Sequence, residues 1–228
     1  MGPVRVSLAL TLALCVAPSL RADVVTDWFS SDRSEGYRGI ETDVSLLRDE
    51  LAAAGVMPQL LLERIKEGQA KKISPERLLS ALEADTARFL SLARLFDGLP
   101  RGTARPEEKT RFIRDGAIAS RSGIDDGAME SICAAVTPGG LSRMTDALLA
   151  VGAVNARFRL DSGTLTDLAV SLYASPEREG RFSRLSSVFV RSRSLGNGAD
   201  ETARRAIALL RAGGTLFSVE AAIEEGHR

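Results

Sequence analysis

Apolar residues recur at three- and four-residue steps along most of this chain, which is the spacing that places them on one face of an α-helix. One series runs through Ile40, Val44, Leu47, Leu51 and Ala54, and similar series cover residues 78–96 and 141–151. No stretch of alternating β-branched and polar residues reaches the length of a strand. With 44% hydrophobic and 26% charged residues, the composition is that of a folded globular protein. The sequence therefore predicts an all-α fold.

A short motif returns along the chain and suggests that the helices come in pairs. Ser74-Pro75-Glu76-Arg77 is repeated as Ser175-Pro176-Glu177-Arg178, and Thr137-Pro138 stands between the two. A hydroxyl residue followed by proline is typical of the first turn of a helix. A glycine precedes a shorter apolar segment before each motif, at Gly55, Gly123 and Gly163. The predicted unit is glycine, short helix, Ser/Thr-Pro and long helix.

The C-terminal residues Leu209–Gly226 align without gaps on Leu51–Gly68 and are identical to them at six positions, which include Gly55 and Gly213. Helix pairs of this kind bury their apolar faces by stacking on their neighbours. We therefore expect residues 40–228 to form degenerate αα-hairpin repeats, stacked as a short solenoid or a compact bundle. The Gly-, Pro- and Arg-rich stretch near 98–106 is predicted to be a loop or hinge.

The first 22 residues have the order of a secretory signal peptide. Arg5 is the only charged residue before the apolar run Val6–Ala17, which is followed by Pro18 and the small residue Ala22. This arrangement predicts cleavage after Ala22, with residues 23–39 as an N-terminal extension of the mature chain. We expect a bacterial protein that is periplasmic or secreted.

Two other fates of the N-terminal segment stay open. The apolar run is shorter than the roughly 20 residues that span a bilayer, so a retained anchor is less expected than cleavage. Lipidation at Cys15 would attach the protein to a membrane, although the preceding Leu12-Ala13-Leu14 is a poor match to a lipoprotein signal. The rest of the chain contains no candidate transmembrane helix, so any other membrane contact is expected to be peripheral.

The charge balance argues against nucleic acid as a partner. The chain has 30 basic and 30 acidic residues, and removal of Arg5 and Arg21 with the signal peptide leaves 28 basic residues against 30 acidic ones. A net charge near zero offers no general attraction to a polyanion.

The residues that could carry catalysis or hold a metal are few. Cys133 lies in an apolar helical stripe with Met129, Ile132 and Val136, where a cysteine is typically buried and unreactive. The single histidine, His227, is the penultimate residue, so neither a histidine-assisted nucleophile nor a typical zinc site is expected. We assign no catalytic residue, no metal ligand and no cofactor.

Asp161-Ser162-Gly163-Thr164 matches the Asp-Ser/Thr-Gly-Ser/Thr loop of aspartic proteases. Those enzymes use two such aspartates, which share a proton, whereas this chain has one copy with helical segments on both sides. We instead predict a helix start capped by Thr164, with Asp167 completing a capping box.

One segment offers a possible partner surface. In a helix, Arg181, Arg184 and Arg191 would lie opposite an apolar line formed by Phe182, Leu185 and Phe189. This arginine face is either simply solvated or contacts an acidic partner or lipid headgroups. Trp28 is either packed onto the helical core or exposed as an anchor for a partner.

Together these features favour a non-catalytic, exported helical scaffold of the bacterial envelope that binds a protein partner. Two alternatives stay open: an enzyme that uses a pair of carboxylates on an envelope glycan, and a membrane-attached lipoprotein.

Overall fold

The computed structural model describes residues 23–100, 102, 104, 105 and 107–226. All regular secondary structure in this part of the chain is helical and none of it is strand, which confirms the predicted all-α class. The eleven α-helices are α1 Val24–Phe29, α2 Glu41–Ala53, α3 Gln59–Ala70, α4 Pro75–Asp97, α5 Glu108–Arg121, α6 Asp126–Ala134, α7 Leu141–Phe158, α8 Ser162–Ala174, α9 Arg184–Ser194, α10 Ala199–Arg211 and α11 Leu216–Glu225. Two 3-10 segments cover Asp32–Ile40 and Glu179–Arg181. The predicted signal peptide, with Cys15 and the cleavage site after Ala22, lies outside the described residues.

Four of the helices end in a glycine with left-handed backbone geometry. The φ angles are +67° at Gly55, +94° at Gly123, +85° at Gly196 and +83° at Gly213. After each glycine, the next N–H bonds back to a carbonyl in the last turn, as Val56 N does to Leu51 O at 2.9 Å. This closure satisfies carbonyls that the helix end leaves free, and a left-handed residue costs glycine little. The chain can therefore reverse within a few residues and pack the next helix against the last.

The first predicted helix pair is present as the sequence indicates. Gly55 is followed by α3, and α4 begins at Pro75 with Ser74 as the N-cap residue. Proline is well suited to this first helical position because it has no N–H to leave unsatisfied.

The other two Ser/Thr-Pro motifs do not begin a helix, so these two predictions are wrong. The helix after Thr137-Pro138 begins only at Leu141. Ser175 is the residue at the end of α8, where its hydroxyl donates to Leu172 O at 2.7 Å. Next to it, Glu177 is buried and accepts a hydrogen bond from Leu216 N at 2.9 Å. Because the Glu177 carboxylate binds the first N–H of α11, the residues around Glu177 turn toward the interior and do not form a helix. The next helix, α9, begins only at Arg184.

The helices share one continuous apolar core. α4 packs on α5, α5 on α7, α7 on α8, and α8 on α10. Residues 23–39, predicted to be an extension, contribute Val25, Trp28 and Phe29 to this same core through α1. Residues 98–107 join α4 to α5, and the carbonyl of Gly102 accepts a hydrogen bond from Gly139 N at 2.9 Å.

A buried amide links the ends of two long helices. Asn155 on α7 is 4% exposed, and its Nδ2 donates to Ser122 O at the end of α5 at 2.8 Å. Its Oδ1 accepts from Leu160 N at 2.9 Å, just after α7 ends. A Cβ atom on Gly123 would lie 2.7 Å from Asn155 Nδ2, so only glycine fits beside this amide without displacing it. The α5 and α7 ends are thus joined through one side chain.

We expect Asn155→Ala to destabilise the fold by about 1–3 kcal/mol, because a partly buried backbone carbonyl and a buried N–H lose their partner. The measurement is urea unfolding followed by circular dichroism. The chain's other asparagine, Asn197, makes no side-chain hydrogen bond within the described residues, so Asn197→Ala is the matched control and should change stability by less than about 0.5 kcal/mol. Equal effects of the two substitutions would contradict this role of Asn155.

Candidate functional site

Of the three arginines predicted as a partner surface, Arg184 and Arg191 lie on α9, whereas Arg181 lies in the 3-10 segment before it. Arg181, Arg184 and Arg191 are all exposed. The predicted apolar line is buried, at Phe182, Leu185 and Phe189. Arg184 pairs with Glu220 at 2.8 Å and Arg191 with Glu224 at 3.2 Å, so α11 partly neutralises this face.

Trp28 lies in the apolar core. In the sequence it is far from the arginine face. Trp28 is 6% exposed. Its ring packs edge-on against the ring of Phe29, with 4.8 Å between the two ring centroids. The ring of Tyr37 packs on the same indole, with 6.1 Å between the ring centroids. The indole Nε1 has no hydrogen-bond partner among the described residues. In this conformation Trp28 secures α1 to the core and presents no surface to a partner.

Two hollows of about 350 and 480 Å³ lie along α7. The first lies between α7 and residues 179–183, and the second between Arg157 of α7, α9 and Glu220 of α11. We call the two hollows together the α7–α9 groove, and each of them one half of it. Much of its lining is small: Ala150, Ala153, Ser183, Ser186, Ser187 and Ser194. Side chains of this size let a partner's backbone approach closely, as between packed helices.

The two halves of the α7–α9 groove differ in charge. Asp146 and Glu179 line one half, whereas Arg157 and Arg191 line the other together with Glu220. Arg157 forms no ion pair within the described part of the chain, so its guanidinium is free to bind a group from outside. Sequence reasoning missed Arg157 because it belongs to α7, 27 residues before α9 begins at Arg184.

A larger cleft of about 820 Å³ lies where α1, α2 and α3 meet. Its charged groups are paired with each other, because Arg48 binds both Asp23 and Asp49. Gln59 also lines the cleft, and its Oε1 is buried without a hydrogen-bond partner in the described structure. What the cleft offers to a ligand is therefore an apolar wall beside charged groups that are already paired, because the Gln59 oxygen is itself buried.

Two carboxylates lie close to one arginine between α5 and α7. Arg111 donates to Asp146 at 2.5 Å and, through Nε, to Asp115 at 3.4 Å. Burial raises the pKa of Asp115 above its ordinary value, and the nearby Arg111 opposes that shift. Asp146 also lines the α7–α9 groove, but Asp115 does not. The two carboxylates therefore lie in different places: Asp146 lines the groove, whereas Asp115 lies at the helix interface. Their contacts with Arg111 link α5 to α7.

The protease-like motif is a helix cap, although the capping residue differs from the predicted one. Asp161, and not Thr164, is the N-cap of α8, and its Oδ1 accepts from Thr164 N at 2.9 Å. Hydrogen bonds from Thr164 lower the pKa of the Asp161 carboxyl. Asp167 is engaged elsewhere, with Arg211 at 2.6 Å, and so does not complete a capping box. An ionised, exposed cap does not share a proton with a second carboxyl as the protease pair does.

The structure describes no group of three or more histidine, cysteine, aspartate and glutamate side chains that could hold a metal ion in the residues it covers. Within the same residues, no helix combines the length and apolar character needed to cross a bilayer. His227 lies outside the described residues.

Cys133 is a buried thiol, as the apolar stripe predicts. It is 2% exposed, and burial raises its pKa to about 12. The thiolate is the reactive form of cysteine, so almost none is present near neutral pH.

We expect Cys133 in the folded chain starting at Asp23 to resist a water-soluble thiol reagent at about pH 8, and to react fully after unfolding in guanidinium. An Ala208→Cys variant provides an internal control because Ala208 is exposed on α10. The added thiol should react in the native state within minutes while Cys133 does not. If both thiols were labelled at similar rates, the buried position of Cys133 would be wrong.

No protein-family model, no curated protein and no solved structure matches this chain.

Proposed function

We propose that this chain is an exported helical-repeat scaffold of the bacterial envelope, and that it binds a protein partner through the α7–α9 groove. The observation that carries the proposal is the groove itself: two hollows along α7, lined largely by small residues and bordered by the exposed Arg191, with Arg157 making no ion pair among the described residues.

The packing order of the helices supports the repeat part of the proposal. From α5 onwards, contacts join helices two places apart in the chain: α5 to α7, α7 to α9, α9 to α11, α6 to α8, and α8 to α10. This order is typical of stacked helix pairs, in which alternate helices form two layers. Such stacks commonly bind partners along one extended surface, because the outer side of a layer has no neighbour to cover it.

The aligned segments Leu51–Gly68 and Leu209–Gly226 add local support for repetition. Each spans a helix end, a left-handed glycine and the following helix, with φ of +67° at Gly55 and +83° at Gly213. Val56 and Gly214 each donate a hydrogen bond to the carbonyl five residues earlier. The same turn at matched positions is what degenerate copies of one unit would retain.

The chemistry of the groove favours a polypeptide over a sugar as the bound molecule. A glycan hydrolase places two carboxylates in one cleft, about 5–10 Å apart, with one of them kept protonated. The carboxyl with the raised pKa, Asp115, lies outside the groove lining, and Asp146 is held by Arg111. Small side chains with charges of opposite sign at the two ends instead suit a helix that carries complementary charges.

We expect a photoreactive amino acid at Ala153 to crosslink an envelope protein in living cells, because Ala153 is exposed and lines the first half of the groove. Ala153→Trp fills the channel and should weaken that partner's binding by at least about tenfold, equal to about 1.4 kcal/mol. The matched controls are the same changes at Ala208, an exposed alanine of α10 outside the groove. Equal crosslinking from both positions, or none from Ala153, would contradict the proposal.

We expect export to yield a mature chain that begins at Asp23. N-terminal sequencing and the intact mass of the protein from the periplasmic fraction test this directly. Cys15→Ser should leave the fractionation unchanged, whereas release of the protein from membranes would indicate a lipid anchor at Cys15. Cys133→Ser serves as the control for the loss of a thiol. A precursor that stays unprocessed in the cytosol would rule out the export part of the proposal.

A further inference from the structure

Three arginines from three helices converge on one buried carboxylate, away from the α7–α9 groove. Asp85 on α4 is 3% exposed. Its Oδ2 accepts from Arg64 Nε of α3 at 2.5 Å. Its Oδ1 accepts from Arg88 Nη1 of α4 at 2.6 Å and from Arg121 Nη1 of α5 at 3.2 Å. This arrangement brings three positive charges together around a single negative one.

The other groups that form ion pairs with this cluster do not restore the balance. Glu67 binds Arg64 and also accepts from Lys71 at 2.6 Å. Hydrogen bonding to Lys71 lowers the pKa of Glu67, with Arg64 and Arg121 acting in the same direction, so this carboxylate is ionised. The cluster as a whole then holds four cations and two carboxylates, and it carries an excess of two positive charges. Cations brought this close repel each other, and an added anion would relieve the repulsion.

Arg88 and Arg121 are positioned to bind such an anion together. Both donate to the same oxygen, Asp85 Oδ1, which keeps their two Nη1 atoms within about 6 Å of each other. Each uses only Nη1 in the described contacts, so Nε and Nη2 of both guanidiniums stay without a protein partner in the part of the chain that is described. The side chains are 28% and 32% exposed, and solutes can therefore reach them.

We propose that Arg88 and Arg121 form a binding site for a phosphate group, with Asp85 as the residue that positions them. Paired arginines suit phosphate because each guanidinium offers parallel N–H donors that match two phosphate oxygens. The excess of two positive charges matches a phosphate monoester or inorganic phosphate near neutral pH, which carries between one and two negative charges. Arg64 contributes charge but is more fully occupied, since Asp85 and Glu67 take two of its nitrogens.

The test uses the mature chain from Asp23, with inorganic phosphate as the probe. Urea unfolding is followed at increasing phosphate concentration and constant ionic strength, with chloride as the balancing salt. A ligand that binds only the folded state raises the unfolding midpoint in a saturable way, and we expect this with phosphate and not with chloride. Arg88→Gln and Arg121→Gln should each weaken the apparent phosphate affinity by at least about tenfold.

Arg114→Gln is the matched control. Arg114 also lies on α5 and forms an exposed ion pair with Glu63 at 2.9 Å, so its loss removes the same charge without altering the cluster at Asp85. This variant should bind phosphate as the unmodified protein does. If Arg88→Gln failed to fold, Arg121→Gln would decide the matter, because it removes the longest of the three contacts to Asp85.

A second arm identifies the source of the phosphate group. Co-sedimentation with vesicles of phosphatidic acid, compared with vesicles of phosphatidylcholine, reports on binding to a lipid headgroup. Binding to phosphatidic acid that is lost in Arg121→Gln and kept in Arg114→Gln supports the site with a lipid source. Saturable binding of free phosphate without vesicle binding supports it with a soluble source. The proposal is overturned if Arg88→Gln, Arg121→Gln and Arg114→Gln all respond to phosphate and to vesicles as the unmodified chain does.

Discussion

The shared apolar interior is the feature on which the described structure depends. Every long helix buries one face against helices from other parts of the chain, and the one cysteine in the described residues is a free buried thiol. Packing of these faces stabilises the fold through many small contacts, and it tolerates no large gap. The left-handed glycines at helix ends make this packing possible, because they reverse the chain tightly enough to bring each new apolar face back onto the core.

Within that interior, a few polar side chains decide how helix ends meet. Asn155 joins the ends of α5 and α7, and Glu177 serves the N-terminus of α11. Asp85 gathers arginines from three helices. A buried polar group without its partner is costly, so each of these contacts favours one arrangement of the helices over others that would bury the same apolar area. We regard them as the groups that select this packing.

The two proposed binding regions use arginine in different ways and lie on different helices. Beside the α7–α9 groove, Arg184 and Arg191 are partly neutralised by α11, and Arg157 is the guanidinium left for a partner. At the Asp85 cluster, arginines are held close together by a carboxylate that they outnumber. A groove of small residues suits a polypeptide, whereas a pair of oriented guanidiniums suits a compact anion. A substitution that abolishes binding at one region should therefore leave the binding residues of the other region unchanged.

Local patterns in the sequence were enough for several features. The three- and four-residue spacing predicts the all-α class, the buried line Phe182, Leu185 and Phe189 opposite exposed arginines, and the burial of Cys133. The Ser74-Pro75 start of α4 also follows from residues in direct contact along the chain. These features depend on helix geometry and on side chains within a few residues of each other, which the sequence displays directly.

Other features required the tertiary structure. Ser175-Pro176 fails to begin a helix because Glu177 binds Leu216, 39 residues further on. Arg64, Asp85 and Arg121 form a cluster only when three helices pack together, and Arg157 joins the α9 surface only because α7 lies beside α9. In each case the deciding contact joins residues far apart in the chain. By itself, the sequence determined which faces are apolar and where most helices form; the packing of those faces decided which charged groups meet, because side chains distant in sequence become neighbours only after the core has closed.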